Sequence, residues 1–362
     1  MCSMTEDGKH IIFIKNIYYM LSYFFMPLKQ DSYADVAKEE FEHIHDLFAG
    51  ILVRGIGMQL KQGLYREYID RVETLAVLRG KLEIAGTLKN RLAKKRLLSC
   101  EHDELSENNS FNRILKTTAL MLLRHGDVKD ARKTELKKEL RYLATVDTVE
   151  PGSIRWGAIR FERNNNTYRM LLGICRLVLE GMLLTTEAGG YKLASFFKPE
   201  EMARLYEKFL LEYYVREHPE LKAEASEIKW DVDKDTDKML PEMKTDVTLT
   251  KKVGDEERVL IIDAKYYASG ILKSHYAKQA ISSGNLYQIF TYVKNKDAAF
   301  GGEKHRVSGM LLYAQTDEKI QPDNTYIIGG NRISVRTLDL NREFKEIRQQ
   351  LDKIAADHFS SV

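Results

Sequence analysis

Two carboxylates and one amine interrupt two otherwise apolar segments between residues 239 and 270. Asp263 and Lys265 directly follow the run Val259-Leu260-Ile261-Ile262, which is typical of a buried strand. Side chains two positions apart lie on the same face of a strand, so Asp263 and Lys265 should point the same way. A charge in such a place costs desolvation energy unless it is paired or binds a metal. The spacing therefore indicates a polar site at the end of this strand.

The second carboxylate, Asp246, lies on an earlier strand predicted over residues 243–250, and the polar residues 254–257 form a turn between the two strands. If the strands pair around this turn, Asp246 and Asp263 can converge on one cation. Mg²⁺ is typically held by one or two carboxylates, with water and substrate phosphate oxygens completing its coordination shell. The ion would activate a water molecule and neutralise charge on a scissile phosphate, while Lys265 would position that water and stabilise the developing charge.

The layout D-x(16)-D-x-K of these residues resembles the site of PD-(D/E)XK nucleases, with Thr245 in place of the proline. A helix predicted over residues 285–292 adds to the resemblance, because Gln288 and Tyr292 share one helix face and their Q-x-x-x-Y spacing is similar to that of RecB-like nucleases. Gln288 is therefore a fourth candidate catalytic residue. The simpler alternatives are an exposed salt bridge for the D-x-K triplet, an exposed helix glutamine for Gln288 and a core aromatic for Tyr292.

A helix predicted from about residue 198 to residue 217 precedes the first acidic strand. In nucleases of this type, such a helix often supplies one more carboxylate to the metal. Glu207 is the first candidate for this ligand and Glu212 the second, and a solvated helix charge is the simpler interpretation of either one. The candidate metal ligands are thus Asp246, Asp263 and Glu207.

The composition describes a globular protein and excludes several classes of function. The 362 residues are 44% hydrophobic and 30% charged with a net charge of +3, so any DNA binding must come from local patches. Three widely spaced cysteines form neither a disulfide framework nor a zinc pattern, which fits a reducing cytoplasm. The apolar stretch 11–25 is interrupted by Lys15 and Asn16 and is too short for a membrane span, so no membrane partner is expected. No G-x-x-x-x-G-K-[ST] motif provides a nucleotide site.

We expect two domains, with the boundary between about residues 185 and 200, where a glycine-containing loop separates two predicted helices. The pattern of elements predicts an α+β N-terminal domain for residues 1–190. It predicts an α/β domain with a central mixed sheet for residues 191–362. Within the first domain, residues 51–71 alternate apolar and polar side chains and predict a hairpin or a pair of strands. Gly80 interrupts another predicted strand, which hints at a bulge or a close backbone approach.

Short segments spread over nearly the whole chain resemble the McrC family, the nuclease subunits of McrBC 5-methylcytosine-dependent restriction systems. NIYYMLSY at residues 16–23 and DAKYY at residues 263–267 form a specific pair. The other segments are LRGKLE at 78–83, DELSE at 103–107, NRILKTT at 112–118, LYEKFL at 205–210, LPEMKTD at 240–246 and NLYQ at 285–288. Asp246, Asp263 and Lys265 match the catalytic positions of the family, whereas the family does not demand a glutamate at the position of Glu207.

The resemblance implies a PD-(D/E)XK, restriction-endonuclease-like fold for residues 191–362 and a Mg²⁺-dependent DNA endonuclease activity. It also implies that residues 1–190 dock on a McrB-like AAA+ GTPase hexamer, which recognises methylated double-stranded DNA, and stimulate its GTP hydrolysis. Cleavage would require the assembled complex. The missing phosphate-binding loop fits this division, because the motor would lie on another chain. Whether the nuclease domains dimerise to cut both strands is left open.

Two alternatives remain on the sequence. The chain could be a regulatory subunit that docks on an AAA+ ring and carries an inactive nuclease fold, which the intact Asp246, Asp263 and Lys265 argue against. It could also be a RecB-like nuclease that acts without a GTPase.

Overall fold

The computed structural model describes residues 14–162, 165–185, 191–193, 198–232, 239–267, 272–275, 278–315 and 321–360. The chain forms two compact units: the first combines Met1–Leu47 with Ala194–Val362, and the second is Phe48–Leu193. The second unit ends within the boundary region that the sequence predicts between residues 185 and 200. The N-terminal 47 residues belong with the C-terminal part of the chain.

The described residues form helices and strands along both units. The α-helices are α1 (Ile14–Phe24), α2 (Ala34–Lys38), α3 (Ile44–Gln62), α4 (Ile84–Leu92), α5 (Ser110–Arg124), α6 (Asp130–Tyr142), α7 (Asn166–Met182), α8 (Pro199–Glu217), α9 (Ser283–Ala298) and α10 (Phe344–Phe359). The β-strands are β1 (Glu67–Leu75), β2 (Lys81–Glu83), β3 (Leu98–Ser106), β4 (Leu183–Thr185), β5 (Tyr191–Leu193), β6 (Lys222–Glu224), β7 (Glu227–Ile228), β8 (Met243–Lys244), β9 (Val247–Val253), β10 (Glu256–Lys265), β11 (Leu272–His275), β12 (Lys278–Ile281), β13 (His305–Ala314), β14 (Asn324–Ile328) and β15 (Asn331–Leu338). Within the described ranges, no helix has the length and apolarity to cross a membrane.

A six-stranded mixed sheet forms the centre of the first unit, with the strand order β14-β15-β13-β10-β9-β6. The three central strands β10, β13 and β15 are parallel to one another. The outer strands β9, β6 and β14 run antiparallel to their neighbours. The apolar run of β10 is buried on both faces of the sheet, as expected for a central strand covered by helices on either side. The central mixed sheet predicted for residues 191–362 is therefore confirmed.

Helix α9 covers one face of this sheet. Its Ile289 and Val293 pack in a core with side chains of β10, β13 and β15. Gly309 of β13 allows the helix to lie close, because an added Cβ there would come within 2.7 Å of Ile289 Cγ1 and 2.8 Å of Val293 Cγ2. This close packing fixes the position of α9 relative to the end of β10.

The opposite face is covered by α8 and α10, which are joined by tyrosine hydrogen bonds. Tyr214 Oη of α8 donates to the Leu351 carbonyl at 3.1 Å, and Tyr213 Oη donates to Asp352 Oδ1 at 2.6 Å. The N-terminal helix α1 is tied to the same layer, since Asn16 Nδ2 donates to the Leu340 carbonyl at 2.8 Å. These bonds explain why the N-terminal segment groups with the sheet rather than with the second unit.

The hairpin of β9 and β10 matches the sequence prediction in its pairing. The register runs from Val253 opposite Glu256 to Val247 opposite Ile262, and Gly254 turns the chain with a φ of +62°. One detail of the prediction is wrong: Asp246 lies in a bend between β8 and β9, not within a strand. The bend is held by Thr245, whose amide donates to the Ser226 carbonyl and whose Oγ1 accepts from the Ser226 amide, both at 3.0 Å.

The second unit contains an antiparallel sheet with the order β1-β3-β2. The strands predicted over residues 51–71 are wrong for most of that range, because α3 continues to Gln62 and β1 begins only at Glu67. Buried residues of α3 recur at Phe48, Ile51, Leu52 and Ile56, which is a helical period. The close approach predicted at Gly80 is confirmed: its φ is +69°, and an added Cβ would lie 2.7 Å from His102 Cβ.

Candidate active site

Asp263 and Lys265 lie at the C-terminal end of β10, on the face of the sheet that α9 covers. Asp263 is only 2% exposed, and Lys265 is partly buried. Lys265 Nζ lies 2.7 Å from Asp263 Oδ2, which makes a close ion pair. Asp263 Oδ2 has no partner other than Lys265 among the described residues. This buried carboxylate oxygen therefore lies beside a cation and can still accept a further hydrogen bond or bind a metal ion.

Asp246 reaches this pair from the bend before β9. Its Oδ2 accepts a hydrogen bond of 2.7 Å from the backbone amide of Ala264, the residue between Asp263 and Lys265. Burial raises the pKa of Asp246 to about 7, and the neighbouring Asp263 and Glu207 carboxylates add to this rise. The Ala264 amide and Lys265 offset part of it. The two aspartates predicted from the sequence are therefore brought together, as the predicted hairpin required.

Gln288 links Lys265 to α9. Lys265 Nζ donates to Gln288 Oε1 at 3.1 Å, and Gln288 Nε2 donates to Tyr292 Oη at 3.0 Å. The shared helix face predicted for Gln288 and Tyr292 is therefore present, and Gln288 is a partner of the site lysine rather than a free surface glutamine. With Asp263 on one side and Gln288 on the other, the ammonium group of Lys265 is held in a fixed direction.

The structure distinguishes the two glutamates of α8. Burial raises the pKa of Glu207. The charge of Lys265 lowers this pKa and the charge of Asp263 raises it, so Glu207 interacts electrostatically with the site. Glu212 instead accepts hydrogen bonds from Arg216 Nε at 3.0 Å and Arg216 Nη2 at 2.9 Å. The two residues lie five positions apart, which turns their side chains to different sides of the helix.

Three further polar residues adjoin the site and were not predicted. Asn285 Nδ2 donates to Tyr313 Oη at 2.8 Å and to Tyr267 Oη at 3.0 Å. Burial raises the pKa of Tyr313 to about 12, and Asp263 contributes to the rise. A signal for two of them existed: Tyr267 continues the same-face spacing of Asp263 and Lys265, and Asn285 precedes Gln288 by one helical turn.

The donor set fits a divalent cation that prefers oxygen ligands. Burial is the main cause of the raised pKa values of Asp246, Asp263 and Glu207, so their ionised forms lack the solvent that would stabilise them, and a bound cation would supply that stabilisation. Carboxylate oxygens are the ligands that Mg²⁺ takes in proteins, and Asp263 Oδ2 is paired only with Lys265 in the described chain. These three residues would hold the ion.

We expect Mg²⁺ to stabilise the protein more at pH 8 than at pH 6. Because the pKa of Asp246 is raised to about 7, the folded state without metal is favoured when this group is protonated, and that contribution is lost as pH rises through about 7. Mg²⁺ requires the ionised form, so protons compete with it at pH 6. Saturating Mg²⁺ should raise the melting temperature by about 5 °C at pH 8 and by less than half as much at pH 6.

Differential scanning fluorimetry with Mg²⁺ or EDTA measures this difference. The variant Asp246→Asn should show little response to Mg²⁺ at either pH. An equal response of the unaltered protein at both pH values would contradict a metal site that includes Asp246.

A second prediction separates the two glutamates of α8. Glu207→Gln should weaken Mg²⁺ binding about tenfold, because it removes a carboxylate from the acidic cluster at a cost of about 1.4 kcal/mol. Glu212→Gln makes the same chemical change on the same helix but affects only the contact with Arg216. It should leave the Mg²⁺ concentration for half-maximal thermal stabilisation unchanged. Equal effects of the two variants would remove Glu207 from the site.

Fold and site define an α/β protein with an acidic, lysine-containing site at the end of a central strand. A family model described as McrBC 5-methylcytosine restriction system component matches residues 6–314. The type IV methyl-directed restriction enzyme EcoKMcrBC of Escherichia coli (strain K12) is 27% identical over 345 residues, which are 94% of this chain and 96% of that protein. The chain therefore belongs to the McrBC 5-methylcytosine restriction system component family, as its sequence resemblance indicates.

A solved structure is similar over most of the chain as well. It is the refined half-complex from the tetradecameric assembly of Thermococcus gammatolerans McrB AAA+ hexamers with bound McrC. The matching chain has a TM-score of 0.52 at 18% identity, and the match covers 94% of this chain and 76% of that chain. The fold described above is thus one already seen within this restriction system.

Proposed function

We propose that this chain is the Mg²⁺-dependent DNA endonuclease subunit of a modification-dependent restriction complex. It cleaves double-stranded DNA carrying 5-methylcytosine when it is assembled with a McrB-like AAA+ GTPase hexamer, whose GTP hydrolysis it stimulates. The observation that carries the proposal is the convergence of Asp246, Asp263 and Lys265, with Asp246 bonded to the backbone between the other two. This arrangement on a mixed sheet supports a PD-(D/E)XK nuclease domain.

The charge states of the site support hydrolysis of a phosphodiester. When bound, Mg²⁺ would lower the pKa of a water molecule and neutralise charge on the phosphate. Burial acts to lower the pKa of Lys265, but the neighbouring Asp263 and Asp246 carboxylates outweigh it and the net pKa is raised. Lys265 is therefore a cation at neutral pH. It orients the attacking water by donating a hydrogen bond and stabilises the negative charge that develops on the phosphate oxygens.

Gln288 and Asp263 serve this lysine by positioning it. The ammonium group is held between Asp263 Oδ2 at 2.7 Å and Gln288 Oε1 at 3.1 Å, which leaves its third proton for substrate or water. Gln288 is itself hydrogen-bonded to Tyr292 on the packed helix α9. The side chain of Lys265 is therefore already fixed before DNA binds, which avoids an entropy cost on binding.

The second unit supports the docking role predicted for residues 1–190. Many of the exposed large apolar side chains in the described chain belong to β1, β2, β3, α4 and the loop before β2. Tyr68 and Leu105, 76% and 46% exposed, are paired across β1 and β3, and Val72 at 59% exposure lies further along the same face, beyond the Asp70–Asp103 pair. We call these three residues the apolar stripe. Exposed apolar side chains that adjoin one another mark protein–protein contacts.

The decisive test is assembly with a McrB-like GTPase, followed by cleavage assays with GTP. We expect co-purification, faster GTP hydrolysis and cleavage of methylated but not of unmethylated DNA. Cleavage without the GTPase would instead support a RecB-like nuclease, and GTPase stimulation without any cleavage would support a regulatory subunit. The cytoplasmic location and a pairing of nuclease domains on DNA stay predictions.

A further inference from the structure

A polar cleft lies on the face of the sheet opposite α9, between β10, β13, β15 and α10. It is narrow, with about 10 Å³ open to the centre of a water molecule, and it opens to solvent. The hydroxyl-bearing Ser308 and Ser334, 1% and 4% exposed, belong to its buried part. Arg332, Arg336, Asp357 and His358 line the more exposed part. This cleft is separate from the acidic site, because β10 directs Leu260 to it and Asp263 to the other face.

Three polar atoms that line the cleft are buried without a hydrogen-bond partner in the described residues: Ser308 Oγ, Arg336 Nε and His358 Nε2. A buried polar atom without a partner costs about 1–3 kcal/mol, so three around one cleft require an explanation. The ion pairs of Arg336 do not supply it, since its Nε lies 3.5 Å from Asp323 Oδ1 and its Nη2 lies 4.0 Å from Asp357 Oδ2. A ligand that offers several oxygens would satisfy all three.

The cleft carries an excess of positive charge. Burial lowers the pKa of His358 to about 4, and the charges of Arg332, Arg258 and Arg306 lower it further. Arg258 is committed elsewhere, with its Nη1 donating to the Ser360 carbonyl at 2.9 Å and its Nε to Glu256 Oε2 at 2.7 Å. Arg306 is likewise paired with Glu256, at 3.4 Å. Such a field excludes a metal cation and favours an anion.

Arg332 is the strongest candidate to contact that anion. Within the described chain its guanidinium group makes neither a hydrogen bond nor an ion pair. Asp357, the acidic residue of the lining, keeps 40% of its side chain in solvent, and its Oδ2 lies 4.0 Å from Arg336 Nη2. Solvent weakens this contact, and the single carboxylate does not balance both Arg332 and Arg336.

We propose that this cleft binds a hydrogen phosphate ion or a phosphomonoester, with Arg332 and Arg336 balancing its charge and Ser308 and His358 bonding its oxygens. The imidazole of His358 bonds to the Val259 carbonyl, so in the neutral ring Nε2 is an acceptor. The ligand must therefore keep a proton of its own. Hydrogen phosphate does so near pH 7, and a phosphomonoester does so in the minor, singly ionised form that remains above its second pKa of about 6, whereas sulfate and the phosphodiesters of DNA do not.

The test is a nuclear magnetic resonance titration of the full chain with labelled histidine at pH 7 and constant ionic strength. The chain has nine histidines, and the signal of His358 is assigned by its loss in His358→Gln. Inorganic phosphate should shift that signal in a saturable way, and a duplex DNA of about 12 base pairs should not. A parallel arm with guanosine monophosphate distinguishes a free ion from a phosphomonoester, and sulfate should bind at least tenfold more weakly than phosphate.

Two variants make the result specific. Arg332→Gln should weaken phosphate binding at least tenfold, and Ser308→Ala provides a second change in the buried part should Arg332→Gln fail to fold. Arg342→Gln is the matched control, because Arg342 pairs with Asp339 at 2.8 Å outside the cleft, and it should bind phosphate as the unaltered chain does. The absence of a saturable shift with both phosphate and guanosine monophosphate, or equal shifts in Arg332→Gln and Arg342→Gln, would overturn the proposal.

Discussion

Replacing Asp263 with asparagine should reduce DNA cleavage by the assembled complex at least about 10³-fold, with GTPase stimulation unchanged. Asp263 is the most buried of the three carboxylates that would hold Mg²⁺, and it is also the ion-pair partner of Lys265. Asparagine has the same shape but offers one amide oxygen in place of a carboxylate. The change should therefore weaken the proposed metal site and also remove the ion-pair partner of Lys265.

The fold should tolerate this change. Burial raises the pKa of Asp263, so the folded protein bears a cost for the ionised carboxylate that a neutral amide removes. We expect the melting temperature of the metal-free variant to be unchanged or higher than that of the unaltered protein. Loss of cleavage with a retained melting temperature would then report on chemistry and not on folding.

Asp255→Asn is the matched control for this experiment. Asp255 lies in the exposed two-residue turn of the same β9–β10 hairpin, and its replacement should leave cleavage within about twofold. Cleavage of methylated DNA by Asp263→Asn at the rate of the control would remove the nuclease site from this part of the chain. The regulatory role would then be the better explanation of the GTPase contact.

Substitutions in the apolar stripe should have the opposite effect: they should weaken docking on the GTPase and leave the acidic site intact. Tyr68→Ser combined with Leu105→Ser should weaken binding to the GTPase hexamer by about 100-fold or more, since central aromatic and aliphatic contacts each contribute about 2 kcal/mol in an interface. GTPase stimulation and cleavage should both be lost, because each depends on assembly. Thermal stabilisation by Mg²⁺ should remain, because Tyr68 and Leu105 belong to the second unit and the acidic site to the first.

Leu82→Ser provides the control on the same small sheet. Leu82 is 40% exposed and is paired with Cys100, so strand alternation directs it to the face opposite Leu105. It should bind the hexamer like the unaltered chain. If Leu82→Ser weakened binding and the double variant did not, the other face of the sheet would be the docking surface. If neither did, docking would lie outside β1 to β3.

Three features of the site follow from local periodicity and could be predicted from the sequence. The period of two in a strand places Asp263 and Lys265 on one face, and the helical spacing of four places Gln288 beneath Tyr292. The turn residues after β9 specify the hairpin that brings Asp246 toward Asp263. These relations depend on neighbours within about 20 residues, for which spacing along the chain is a reliable guide to geometry.

The prediction of strands from periodicity was wrong where an alternating pattern and a helical pattern overlap. Residues 51–62 contain both an alternation of apolar and polar side chains and a helical repeat, and burial of Ile51, Leu52 and Ile56 selects the helix. The bend at Asp246 was equally hidden, because it depends on the hydrogen bonds of Thr245 with Ser226, a residue 19 positions away.

The sequence by itself determined the residue types of the candidate site and the family of the chain: the acidic pair, the lysine that follows it and the glutamine one helix later. Tertiary structure alone decided that Glu207 and not Glu212 approaches the site, and that the N-terminal segment packs with the C-terminal sheet. It also placed Tyr267 and Tyr313 around the side-chain amide of Asn285, and it placed polar atoms without hydrogen-bond partners among the described residues around a cleft on the opposite face of the sheet. The physical reason is that these positions depend on packing between segments that are distant in the sequence. The residue spacing within one segment does not reveal the free energy of that packing.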